Sequence, residues 1–146
     1  KDLITNHIKT NNLSKPFLLF SAHSIPLSFI KKGDTYQKAV EASAKLISKS
    51  VGLNFRVSYQ SAMNPKIWLS PGTLETINNL IDNGFKEIVI IPVSFVCENL
   101  ETLYDLDKVI IPLKNNTNEI NISRVKIPVA HKKFVEMIIQ LINVCL

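Results

Sequence analysis

Apolar and polar positions along this chain alternate between two kinds of pattern. Short continuous apolar runs at residues 17–21, 53–59, 86–93 and, more weakly, 120–127 read as buried strands, and between them apolar residues recur at helical spacing. Strand–helix pairs in series, joined right-handedly, predict a parallel sheet covered on both faces. The expected fold class is α/β: a three-layer αβα sandwich around a four-stranded parallel sheet, with residues 1–146 forming a single domain.

The helical stretches carry their own punctuation. After the first strand, Asp34 with Gln37 three residues on predicts a capping box. Tyr36, Val40, Ile47 and Val51 then form one face, and Gly52 closes the element. A second helix is expected from about Thr73 to Gly84 with Leu74, Ile77, Leu80 and Ile81 facing the core. A third begins near Asn99 and cannot pass Pro112 undisturbed. The last runs from about His131 to Leu146 with Phe134, Ile138, Leu141 and Ile142 as its core stripe. Residues 2–9 read as the tail of a helix arriving from upstream, and the polar stretch 114–121 as a surface loop.

The chemistry collects at the ends of the predicted strands. The first run delivers His23 at a strand's carboxyl end, and Pro26 prevents the strand from simply continuing. In open α/β sheets that edge is where ligands bind, and an imidazole there can accept a proton or hold a metal near neutral pH. The third run ends at Pro92, and Glu98, Glu101, Asp105 and Asp107 follow. On an α-helix, positions 98, 101 and 105 fall within an arc of about 60°, with Asp107 about 200° beyond Asp105 and so structural or solvated. That stripe fits two readings: acids favoured by the helix macrodipole, or a path for protons or cations. Residues 60–71 place Met63, Ile67, Trp68 and Leu69 among polar and proline positions without strand or helix period. Such a loop either tucks under the domain or offers an apolar wall to a ligand.

Composition narrows the classes. Hydrophobic residues make up 46% of 146, too many for a disordered chain, and no apolar run approaches the roughly 20 residues of a membrane span. The net charge of +5 comes from basic residues spread along the chain, without the basic runs interleaved with aromatics that mark nucleic-acid modules. No glycine-rich phosphate loop follows any predicted strand, so no nucleotide site is expected. Cys97 and Cys145 are the only cysteines, which fits a reducing compartment and excludes a four-cysteine iron–sulfur cluster within this chain. Cys97 adjoins the predicted site, Cys145 reads as a packing residue of the last helix, and His7 and His131 read as solvated residues at helix ends. Position 1 is Lys, so the chain is expected to be a fragment or processed product.

Residues 20–26 with Gly33, Asp34 and Tyr36, then 59–61 with Pro65, Trp68, Leu69 and Pro71, then Phe95 with residues 101–107, together resemble ferrochelatase, which inserts ferrous iron into a porphyrin late in haem synthesis. The resemblance runs from near Phe17 to at least Phe134. It implies a Rossmann-like or flavodoxin-like chelatase lobe, the C-terminal lobe of a two-lobed protein whose N-terminal lobe lies outside this chain. It implies that His23 and Glu101 are the inner catalytic and metal-handling pair, with Asp105 and Glu98 leading outward as a proton or metal path. It also implies that Gln60, Ser61, Trp68 and Phe95 bind the porphyrin, either protoporphyrin IX or coproporphyrin III. Ferrous iron would be substrate rather than cofactor, and no cofactor would be required. The implied partners are porphyrin, iron and the N-terminal lobe, with peripheral membrane contact and no nucleic acid. The implied location is the cytoplasm or the matrix side of an inner membrane.

The sequence departs from the family pattern at several positions. Asn99 stands where many relatives have histidine, Asp105 where many have glutamate, Ala62 for a basic residue, Asn64 for glycine and Thr35 for proline. These changes bear on rate and propionate contacts more than on the reaction, since His23 and Glu101 are in place. Two other readings remain at this stage. One is a non-catalytic lone lobe that binds metal or tetrapyrrole. The other is a chelatase of the same architecture for another metal and ring, such as cobalt and sirohydrochlorin, which would need further histidines on the inner face.

Overall fold

The computed structural model describes residues 1–114 and 119–145. In chain order the elements are α1 (Asp2–Thr10), β1 (Phe17–His23), α2 (Leu27–Lys31), α3 (Tyr36–Val51), β2 (Phe55–Gln60), α4 (Thr73–Asp82), β3 (Glu87–Pro92), a π-helix (Glu101–Ile110), α5 (Ile111–Lys114), β4 (Asn121–Arg124) and α6 (Lys132–Cys145). The predicted surface loop at 114–121 falls largely on residues 115–118, outside the described residues, as does the side chain of Cys145.

The four strands form one parallel sheet in the order β2-β1-β3-β4. Leu18, Leu19 and Phe20 of β1 have no exposed surface, which is why this run shows no alternation: a central parallel strand is covered on both faces. Side-chain alternation then sorts the core. Leu18 and Phe20 pack with Val89, with Ile4 of α1 and with Ala44 of α3. Phe17 and Leu19 pack on the other side with Ile88 and Ile90, with Ile77 and Leu80 of α4 and with Leu106 of the π-helix. The three layers expected from the sequence are present.

Strand order fixes where a ligand can sit. The chain leaves β1 for β2 on one side of it, then returns to β3 on the other, so the direction of winding reverses between β1 and β3. With right-handed crossovers, helices before and after the reversal must lie on opposite faces, as α3 and α4 do. The crevice at the carboxyl ends of β1 and β3 is the switch point of the sheet.

Gly52 closes α3 in the left-handed conformation at φ 72°, its N–H bonded to the Ser48 carbonyl. The capping box at α3 is corrected: Asp34 does accept the Tyr36 N–H, at 2.8 Å, but Gln37 turns away and donates to Glu41. Leu74 is also corrected, because it is exposed while Thr73 and Thr76 are buried beside Ile77 and Leu80. The largest correction concerns α6. Ile138, Leu141 and Ile142 are exposed and Phe134 only half-buried. Periodicity reveals an apolar face but not what covers it, and both faces of this sheet are already occupied by other helices.

His7, expected to be solvated, is half-buried on α1 with Nε2 2.8 Å from the Ser123 hydroxyl of β4. Burial holds its pKa below the ordinary value of 6.5. The unfolded chain therefore takes up a proton at His7 more readily than the folded one. The stability this confers is complete above about pH 6.5 and is lost as pH falls through the lowered folded value. The thermal midpoint is expected to fall on acidification from neutrality, and to fall less steeply in His7→Gln. Identical pH profiles for the two proteins would refute this.

Candidate functional site

β1 ends in His23, and β2, its neighbour, ends level with it in Gln60. Across the switch point, the π-helix after β3 begins with Glu101. His23 Nδ1 lies 3.0 Å from both Glu101 oxygens, with the two side chains 41% and 27% exposed. Against a carboxylate, Nδ1 carries the proton and donates, which leaves the Nε2 lone pair free to act as base or ligand. Among the described residues nothing bonds to Nε2.

The carboxylate is itself held from behind. Gln60 Nε2 donates to Glu101 Oε2 at 3.1 Å, while Gln60 Oε1 accepts from the Ser21 hydroxyl at 2.8 Å. Ser21 bonds in turn to Thr73 at the start of α4, and Thr73 to Ser58. All four of these polar side chains are buried. The network fixes which end of the Gln60 amide faces Glu101, and with it the direction in which the carboxylate points. Gln60, expected as a porphyrin contact, is buried beneath Glu101, donates to its carboxylate and lines the cleft beside it.

The backbone of His23 is tied down as well. Tyr36 Oη donates to the His23 carbonyl at 2.9 Å and bonds to Ser94 Oγ at 2.8 Å. Burial raises the Tyr36 pKa further above its ordinary value, so the phenol stays protonated and able to donate. Ser61 and Ser94, immediately past β2 and two residues past β3, both have left-handed backbones, at φ 61° and 64°. Non-glycine residues adopt that conformation rarely.

The rim is apolar. The loop after β2 is stitched to the loop after β1 by the Leu27 N–H to the Ile67 carbonyl, the Leu69 N–H to the Ile25 carbonyl and the Ser24 hydroxyl to the Leu69 carbonyl, all at 2.8–2.9 Å. Leu69 is buried and Trp68 half-buried, whereas Met63 is 84% exposed and Ile67 also faces solvent. The loop thus does both things its composition allowed. Phe95 is half-buried, and Val96, Leu100, Leu103 and Tyr104 are exposed in the same stretch. Cys97 is an exposed free thiol. Asp105 is half-buried and lines a cleft of about 470 Å³ with Gln60, Ser61, Thr73 and Glu75.

The α-helical stripe of carboxylates is corrected. Glu98 precedes the helix, and residues 101–110 wind as a π-helix, so the arc computed for α-helical spacing does not describe them. Glu98 pairs with Arg124 and accepts the Ile127 N–H at 2.9 Å. Burial pushes its pKa up, but hydrogen bonds from Thr102, Arg124 and the Ile127 amide outweigh this and hold it below the ordinary value. Asp107 also pairs with Arg124, so it is a structural residue. Asn99 caps the helix: its side-chain oxygen accepts the Thr102 N–H at 3.2 Å, and the Thr102 hydroxyl accepts the Asn99 N–H at 3.0 Å. Sequence reasoning missed Arg124, Ser21 and Thr73. Only the pairing of small polar residues with apolar ones inside two predicted elements hinted at the latter two.

Among the described residues no helix is long and apolar enough to cross a membrane. The family model described as Ferrochelatase matches residues 1–145. The chain is 36% identical over 127 residues to a ferrochelatase of Sulfurihydrogenibium sp., covering 86% of this chain and 38% of that protein. It is 44% identical over 110 residues to one of Wolbachia sp. subsp. Brugia malayi, 73% of this chain and 32% of that protein. It is 33% identical over 146 residues to one of Picosynechococcus sp., 97% of this chain and 38% of that protein. The chain thus spans about a third of the length of these curated relatives.

Proposed function

Because this chain belongs to the ferrochelatase family, we propose that it carries the part of the enzyme in which ferrous iron enters a porphyrin, protoporphyrin IX or coproporphyrin III. The observation that carries the reading is the His23–Glu101 contact at 3.0 Å at the sheet's switch point, with Nε2 unpartnered among the described residues. Insertion of Fe²⁺ releases two pyrrolic protons. His23 Nε2 accepts a proton, and the Glu101 carboxylate stabilises the imidazolium through Nδ1–H. Before it takes a proton, His23 Nε2 is also a donor for Fe²⁺, with Glu101 behind it on Nδ1–H, a weak enough site to let the ring nitrogens take the ion over. Asp105, on the cleft beside Gln60, handles departing protons or arriving cations. Glu98 is committed to Arg124 and is a poor candidate for that path.

The porphyrin lies against Trp68, Phe95 and Ser61, between this lobe and an N-terminal lobe of the same protein. The exposed apolar residues Met63 and Ile67 and the uncovered face of α6 support an arrangement with more protein around them. The full-length protein assayed with ferrous iron against both porphyrins tests the reading. Glu101→Gln is expected to lower turnover by about a hundredfold, since it removes the charge that stabilises the imidazolium. Unchanged turnover in that variant, or no insertion into either ring by the parent protein, would overturn the assignment.

A further inference from the structure

We propose that Arg124 is a positioning residue for Glu101, clamping from both sides the segment that carries this carboxylate; the proposal rests on the role given above to the His23–Glu101 pair. Arg124 ends β4 opposite Ile90 of β3, with a side chain only 3% exposed. Its Nε and Nη2 donate to the two Asp107 oxygens at 2.7 and 2.6 Å, a bidentate fork. Its Nη1 donates to both Glu98 oxygens at 3.0 Å, and Glu98 in turn accepts the Ile127 N–H. One guanidinium thus joins the loop after β3, the π-helix and the end of β4.

Glu101 lies between the two anchored carboxylates in sequence, and the Asn99–Thr102 cap lies inside the same bracket. The start of the π-helix is therefore fixed to the sheet on both sides of Glu101. A π-helical turn needs such outside support, because the form is rare and occurs mostly as short segments. The charge alone is not what does this. A planar fork addresses two carboxylates in fixed directions, which the point charge of a lysine cannot do. A shift of about 1 Å at Glu101 would carry the 3.0 Å contact to His23 out of hydrogen-bond range.

The test compares Arg124→Lys and Asp107→Asn with the parent full-length protein by two readouts. Steady-state insertion of ferrous iron is expected to show kcat lower by about tenfold or more with the porphyrin KM unchanged, the usual size of a supporting-shell effect. The low-field proton resonance of His23 Nδ1–H, identified by its loss in Glu101→Gln, is expected to weaken or move upfield. A folded Arg124→Lys protein with parental kcat and a parental resonance would overturn the proposal. Should that variant fail to fold, Asp107→Asn, which keeps Arg124 and its Glu98 arm, decides by the same readouts and in the same direction. If the parent itself inserts no iron, the proposed function falls, and the resonance alone decides whether Arg124 sets the His23–Glu101 contact.

Discussion

Replacing His23 with alanine in the full-length protein is expected to reduce iron insertion by about two to four orders of magnitude, the range typical of a positioned acid–base group. The change removes Nε2, the acceptor that the geometry leaves open, and it strips Glu101 of the partner whose charge it stabilises. Folding should be spared. The His23 side chain is 41% exposed, and the hydrogen bond from Tyr36 goes to its backbone carbonyl, which alanine keeps. The measurement is insertion rate together with thermal midpoint and far-ultraviolet dichroism. Most of the activity surviving in a folded variant would remove His23 from the reaction.

The second large effect concerns the chain by itself. These 146 residues are expected to bind porphyrin nearly a hundredfold more weakly than the full-length protein and not to metallate it. A macrocycle held between two lobes finds one wall here, at Trp68, Phe95 and their neighbours. Losing on the order of 100 Å² of apolar contact costs about 2.5 kcal/mol at about 25 cal/mol per Å², and that is nearly two decades in affinity. Metallation also needs the ring held in place over Nε2, which one wall cannot do. Fluorescence titration of porphyrin against both proteins, with Trp68→Ala in each, measures the difference. Equal affinities and normal insertion by the isolated chain would defeat the two-lobed arrangement.

How much of this was legible in the sequence depends on what kind of signal each feature leaves. The sheet was readable because residues 17–20 and 88–91 form unbroken apolar runs, the mark of strands covered on both faces. The placement of His23 at the strand's carboxyl end followed from the same run and from Pro26. The π-helix left no such mark. Residues 101–110 have an ordinary amphipathic pattern, and their contacts with Arg124, Asn99 and the core around Leu106 come from tertiary neighbours that periodicity does not reveal. For the same reason Glu98 was grouped with Glu101 by arithmetic that holds only inside an α-helix. Gln60 was expected at the porphyrin through the resemblance of residues 59–61 to the family. Its burial beneath Glu101 depends on Ser21 and Thr73, from two other elements. For α6 the pattern was real, but which neighbour covers an apolar face is not written in the face itself.

The position of β1 in the sheet has a further consequence, for the way this chain is made. β1 is the first strand in the sequence yet lies at the centre, and its Phe17 is paired with Ile88, 71 residues later. At a synthesis rate of about 5–20 residues per second, the run Phe17, Leu18, Leu19, Phe20 waits about 4–14 s before its second partner strand has been polymerised. Until β2 has been made neither edge of this apolar run can be covered, and from then until β3 follows one edge stays open. The nascent chain is therefore expected to depend on holding factors at this stage, and slower translation between residues 60 and 90 should lower the yield of soluble protein more than the same delay placed after β3.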